Sequence, residues 1–287
     1  MQLEVIIQGI INGFGMGWIY VLMALGLSLI FSILNIAQLA HGELYMLGGY
    51  LAYYFAVNLG LNLILAAFIC MVILGLFGIF LERFFFRPVL KGPFLAPIVI
   101  SLGLTLILQG GVVVVFGVFP RTIPRLAEGS TRLMGYAVPL DRLVAISVGI
   151  VLVLLLYLFL KKTKNGMAIV ACAQNIDSAR LQGVNADKVS SLVMAGGCAL
   201  ASIAGVLAGA LFNVSPQMGF TPMLKGLIII VIGGLGSLPG AIIGGLLLGL
   251  IDGLVPIILN PAAASVMPLI IVIFIILLRP RGLFGNE

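Results

Sequence analysis

The chain has 287 residues, 62% of them hydrophobic and 8% charged, with a mean hydropathy of +1.29. A soluble domain is ~25% charged, so fifteen Lys and Arg with nine Asp and Glu cannot give a body of this size a polar surface; a soluble enzyme, a nucleic-acid binder and a disordered tail are excluded. The net charge of +6 is that of membrane-protein loops with a positive-inside bias. Three scattered cysteines, Cys70, Cys172 and Cys198, make neither a disulfide frame nor a zinc site. The first Lys or Arg is Arg83, so a cleaved signal peptide is not expected.

Apolar runs fall near residues 5–34, 42–57, 61–81, 95–118, 141–160, 190–213, 224–256 and 263–278. At ~20 residues per span, they predict an all-α, polytopic membrane protein with about eight transmembrane helices, some broken or re-entrant. It reads as a single transmembrane domain over 1–287 with a cytoplasmic loop at 161–189.

In the first run, Gly9, Gly13 and Gly17 share one helical face, and Ser28, Ser32 and Asn35 share another. The segment from Asn35 through His41, Gly42 and Glu43 then interrupts the apolar pattern, and the piece at 44–57 is short for a span. The run at 95–118 carries Ser101, Thr105 and Gln109 on one face, which in hydrocarbon must meet partners or water. The run at 190–213 repeats small residues at Gly197, Ala201, Gly205 and Gly209. Such stripes let two backbones approach closely.

Charge distribution orients the chain. Arg83, Arg87 and Lys91, the five positives of 161–189, and Arg279 with Arg281 of the tail place ten on one side. Arg121, Arg125, Arg132 and Arg142 place four on the other, so the ten-positive side is cytoplasmic. A cytoplasmic tail requires a reversal inside 224–256. The sequence supplies one at Gly233-Gly234-Leu235-Gly236-Ser237-Leu238-Pro239-Gly240. The apolar piece before it is too short for the ~30 Å core and reads as a half-helix entering from outside. Beyond it, Ala241, Gly245, Gly249 and Gly253 form a third small stripe, and Asp252 joins Glu4, His41 and Glu43 as ionisable groups in apolar surroundings. Two interrupted short segments, one in each half, point to a transporter's substrate region. Its candidate residues are Asn35, His41, Glu43, Gln109, Gly233, Gly234, Gly236 and Ser237. No cluster has metal-ligand spacing, and no catalytic residue is expected.

The loop at 161–189 predicts one alanine-rich helix over 167–182, stopped by Gly183. Ala168, Ala171, Asn175 and Ala179 fall on one narrow face of small residues, suited to a groove on a soluble partner. The chain has no Gly-Lys dipeptide, which excludes a P-loop. Energy therefore comes from a gradient or from another subunit.

The chain resembles the permease subunits of branched-chain amino acid ABC importers. The resemblance rests on motifs in family order: Asn35-Ile36 with Ala40-His41-Gly42-Glu43 and Met46-Leu47-Gly48-Gly49-Tyr50; Glu82-Arg83 with Arg87-Pro88; Ala171, Gln174-Asn175, Ala179 and Gly183-Val184-Asn185; Ser215-Pro216 with Met218-Gly219; the run from Gly233 to Ala241; and Arg279-Pro280 with Gly282-Leu283-Phe284-Gly285. It implies a multi-pass protein of the bacterial inner membrane, among membrane lipid and with no nucleic-acid partner. Two cytoplasmic ATPase subunits would grip the loop through Gly166, Ala168, Ala171, Asn175, Ala179, Arg180 and Gly183. A periplasmic substrate-binding protein would deliver a small amino acid, and a second permease, a homologue or another copy, would complete the pore. This chain itself is not expected to be an enzyme or to hold a cofactor; ATP and Mg would sit in the ATPase partners. The alternatives are an ion-coupled secondary transporter and a passive channel for small polar solutes. The single Asn260-Pro261-Ala262 reads as a loop, and Ser237 with His41 makes a poor protease pair.

Overall fold

The first helix, α1 (Gln2–Leu34), has 33 residues and is about 50 Å long. That exceeds the ~30 Å hydrocarbon core, so α1 crosses with a tilt or projects from the bilayer. The computed structural model describes residues 2–90, 92–93, 95–133, 136–279 and 282–284. Lys91, Pro280, Arg281 and Gly285 of the sequence motifs lie outside the described residues.

After α1 come α2 (His41–Tyr53), extended by a π-helical turn to Asn58, and α3 (Leu63–Leu81), extended by another π-helical turn through Phe86 into the short α4 (Arg87–Val89). Then follow α5 (Ala96–Phe116), a hairpin of β1 (Ser130–Leu133) and β2 (Tyr136–Pro139), and α6 (Leu140–Lys162). The loop at 161–189 holds α7 (Lys164–Gln174) and α8 (Ile176–Leu181). The last group is α9 (Ala186–Leu211), α10 (Phe220–Gly233), α11 (Leu238–Ile258) and α12 (Pro261–Leu278). Among the described residues seven helices are long and apolar enough to span, and α10 is a shorter apolar helix. The expected reversal is present: the run at 224–256 is divided between α10 and α11.

Two features depart from the expected pattern. The loop between α5 and α6 carries an antiparallel hairpin, pairing Ser130 with Pro139 through Leu133 with Tyr136. The loop at 161–189 folds as two helices rather than one. Asn175 leaves helical geometry at φ −158° and accepts from the Ser178 N–H at 2.8 Å, so it starts α8 instead of continuing α7. An Asn side chain that caps competes with the helix it interrupts.

α1 and α9 form the centre. From Ile19 to Leu25 every α1 residue is buried, as are Ala201, Ala204 and Cys198 of α9. The outer helices turn large apolar side chains away from the body, among them Val114 on α5 and Leu277 on α12. In water such faces would aggregate; in a bilayer they meet acyl chains.

The glycine stripes explain the centre. Gly9, Gly13 and Gly17 of α1 face Gly245, Gly249 and Gly253 of α11. A Cβ on Gly13 would lie 2.8 Å from the Gly249 carbonyl oxygen. The α9 stripe divides its contacts, with Gly197 against Gly26 and Ile30 of α1 and Gly205 against Tyr45 of α2. Dispersion between close backbones holds these helices where lipid offers no hydrophobic contrast.

Candidate functional site

The break between α10 and α11 is built by backbone geometry. Gly234 and Gly236 take φ of 96° and 81°, a region that costs other residues about 1–2 kcal/mol. The Ser237 N–H closes the turn onto the Gly234 carbonyl at 3.0 Å. Its hydroxyl accepts from Gly240 N–H at 3.2 Å and caps α11. Gly233 and Gly240 touch backbone to backbone, so α10 and α11 leave the turn as a tight hairpin.

The chain's tail completes this hairpin. The Leu283 and Phe284 N–H groups donate to the carbonyls of Ile232 and Gly233 at 2.8 and 3.1 Å. These are carbonyls that a helix end leaves open, and open carbonyls are costly in a membrane. Gly282, at φ 82°, lies against Gly234 with no space for a side chain. This role was not read from sequence, where Gly282-Leu283-Phe284 stood only as part of a motif; its physical signal is a glycine shortly after the last apolar run.

The first break places Asn35 in the left-handed region at φ 51°, with its N–H on the Phe31 carbonyl at 3.0 Å. The chain then folds back along α1, so that the His41 ring lies beside Gly26. The α2 start is pinned by Ser101 of α5, whose hydroxyl accepts from the Ala40 N–H at 2.9 Å inside the core. Gly42 contacts Gly219, at the start of α10, so the two short helices meet near their N-termini. Gln38 and His41 are fully buried, and both Gln38 amide atoms and one Glu43 oxygen have no partner among the described residues.

Two cavities lie at opposite ends. The one at the α7 end, the inner cavity by that position alone, is about 1110 Å³ and joins Ser32 and Asn35 to Gly236 and Ser237 across from Ala173 and Gln174 of α7. It therefore unites Asn35, Gly236 and Ser237 of the predicted pathway, with Gly233 and Gly234 just behind. His41, Glu43 and Gln109 do not line it. Gln109 instead fastens α5 to the segment before α10, donating to the Pro216 carbonyl at 3.3 Å.

The α7–α8 pair corrects the predicted small-residue face. Ala179 is 5% exposed and belongs to the protein's own core, and Ala168 and Ala171 pack half-buried against that core. Small side chains let the loop sit close to the bundle. Gly166 does the same at the α6–α7 elbow, against the Phe159 and Leu160 backbone. Gly183, at φ 83°, ends α8 while the Val184 N–H reaches the Ala179 carbonyl at 3.1 Å. Asn175 and Arg180 are exposed, with Arg180 3.6 Å from Asp177. Met167 and Leu181 project outward from the pair.

Nearby, Glu82 is fully buried and held by Arg87 through two nitrogens. Ser191 of α9 adds a third bond to Glu82 at 2.7 Å, and Arg87 reaches the Asp187 carbonyl at 3.0 Å. This ties the α3–α4 end to the start of α9, beside the loop.

The outer cavity, about 730 Å³, gathers the starts of α6, α10 and α12 and the later half of α11 around α1. It holds a group that sequence reading missed. Lys225 of α10 pairs with Asp252 of α11, and both bond Tyr20 of α1, at 3.1 and 2.6 Å. Lys225 was hidden within an apolar run, and its partner lies 27 residues away across the hairpin.

The sequence pattern of the family described as "Branched-chain amino acid transport system / permease component" matches residues 9–277. The chain is 31% identical to the high-affinity branched-chain amino acid transport system permease protein BraD of Pseudomonas aeruginosa, covering 98% of this chain and 96% of that protein. It is equally identical, with the same coverage, to the LivH permease protein of Escherichia coli K12. A probable LivH of Methanocaldococcus jannaschii is 28% identical over 93% of this chain and 89% of its own length. No solved structure matches.

Proposed function

The chain belongs to the family of branched-chain amino acid transport permeases, and from that membership we propose that it is the membrane subunit of an ATP-driven importer for branched-chain or related small amino acids. It works in the bacterial inner membrane as a multi-pass protein. Two ATPase subunits act on α7–α8 from the cytoplasm, a periplasmic binding protein delivers substrate outside, and a second permease completes the pore. The whole chain acts as one transmembrane domain; ATP and Mg belong to the ATPase partners, and the subunit itself carries out no chemistry.

One observation carries this reading: the inner cavity is shared by α7 and the α10–α11 turn. α7 packs on α1, and Ser32 of α1 lies against Gly236, so a displacement of α7 by a soluble partner reaches the turn through α1 and across the cavity they share. Asn35 on the opposite wall belongs to the same inner gate, while His41, Glu43 and Gln109 support the first break that faces it.

The test is uptake in proteoliposomes holding the permease pair, the ATPases and the binding protein. Radiolabelled leucine should accumulate only with ATP inside, and collapsing the ion gradients should leave the rate unchanged. Full-rate leucine flux through the permease alone overturns the reading.

A further inference from the structure

We propose that the outer cavity binds a zwitterionic α-amino acid, its carboxylate held by Arg142 and Lys225 and its ammonium by Asp252. This rests on the permease reading above and names the chemistry of one station on its route.

Size and lining fit the proposal. A volume of about 730 Å³ lies in the range of small-molecule sites. Met16, Leu224 and Leu269 give it apolar walls for an aliphatic side chain.

Charge gives it polarity. The charged side chains that line it are Arg142, Lys225 and Asp252, two cations and one anion. Asp141, next to Arg142, is buried but does not line the cavity. Lys225 and Asp252 neutralise one another, so Arg142 faces the cavity without an anion across it. Its guanidinium lies 5.0 Å from the centre of the Phe212 ring, and its buried Nη1 has no hydrogen-bond partner among the described residues. Nη1 is closed off from the cavity, so a carboxylate, the planar group that a guanidinium matches, would be met by the other guanidinium nitrogens.

The second half of the zwitterion finds Asp252. The bonds from Tyr20 and Lys225 both end on its Oδ2. Oδ1 is left to receive an ammonium. Lys225 lines the same cavity and bonds Asp252, so within this proposal it either keeps Asp252 or turns to the substrate carboxylate. All three charges lie on the side of the molecule opposite α7, where a delivered solute arrives.

The experiment uses the full assembly in right-side-out vesicles. Ser265 lines the cavity and is exposed, whereas Cys70, Cys172 and Cys198 are buried. Ser265→Cys should react with a membrane-impermeant maleimide, and millimolar leucine should slow that reaction about fivefold or more. Leucinamide, which lacks the carboxylate, should not. Arg142→Gln and Lys225→Gln should each abolish protection and lower leucine uptake about tenfold, while Arg142→Lys keeps part of both. Equal protection by leucine and leucinamide, or Gln variants that transport at the original rate, overturns the site and leaves Lys225–Asp252 as a structural pin. The leucinamide comparison needs no charge substitution, so a variant that fails to assemble does not block the decision. Loss of ATP-dependent uptake in the unsubstituted assembly instead overturns the permease reading.

Discussion

Arg87 grips Glu82 with its Nε 2.9 Å from one carboxylate oxygen and its Nη2 2.7 Å from the other. Glu82 is fully buried, whereas 32% of the Arg87 side chain remains exposed. Removing the cation strands a buried carboxylate. Arg87→Gln should cost near the low end of the ~3–5 kcal/mol seen for broken buried pairs, since solvent reaches the arginine. Glu82→Gln combined with Arg87→Gln should recover much of that loss. Thermal unfolding of the purified assembly measures both; equal melting temperatures for the single and double variants would contradict the clamp.

The tail prediction concerns one glycine. Gly282→Val places a β-branched residue at φ 82° and drives its Cβ toward Gly234. The backbone term alone is about 1–2 kcal/mol, which should lower the melting temperature by several degrees. Uptake should fall with it, because α10 loses its bonds from Leu283 and Phe284. An unchanged melting curve would show that the tail does not close the helix.

Glycines on the two kinds of face should respond with opposite signs. Gly249→Ala pushes a methyl into the Gly13–Gly17 backbone and should destabilise by about 1–3 kcal/mol. Gly103 of α5 has nothing within 4 Å of its added Cβ. Gly103→Ala should be neutral or stabilising by ~0.5–1 kcal/mol, as expected for a helix interior. Paired melting measurements decide; destabilisation by Gly103→Ala would reveal a neighbour on that face.

For the α7–α8 pair, the exposed apolar residues rather than the alanines should carry the partner. Leu181 is 88% exposed. Leu181→Asp and Met167→Asp should each weaken ATPase association about tenfold, as loss of an apolar anchor does, with the permease melting unchanged. Ala179→Trp should instead disturb the permease, since that methyl faces its own core. Quantitative co-purification separates the cases, and normal ATPase recovery with both Asp variants would place the contact elsewhere.

Sequence made the α10–α11 reversal legible because Gly, Ser and Pro are concentrated where charge topology also demanded a turn. The glycine stripes were legible for a similar reason: four-residue spacing defines a face whatever lies opposite. Which way a face turns is a different matter. Ala168, Ala171 and Ala179 suit a partner's groove and the protein's own core equally, and only packing chose. Asn175 serves inside a helix or as a cap, and nothing in the local sequence told the two apart. Lys225–Asp252 escaped because Lys225 was passed over inside the same apolar run, 224–256, that holds Asp252, whereas the pair exists only once the hairpin has closed. Of the eight pathway residues, the three that share the inner cavity lie at the two breaks. Gln109 was singled out by polarity alone and serves as a fastener between α5 and Pro216.

The strap formed by residues 282–284 has a consequence for biogenesis. It follows α12 in the chain, yet it supplies the donors for carbonyls in α10. While α11 and α12 are being inserted, Ile232 and Gly233 therefore wait with their oxygens unsatisfied by the finished fold. The α10–α11 turn can therefore reach its finished form only after residues 282–284 have been made and have delivered their amides, later than either helix it joins.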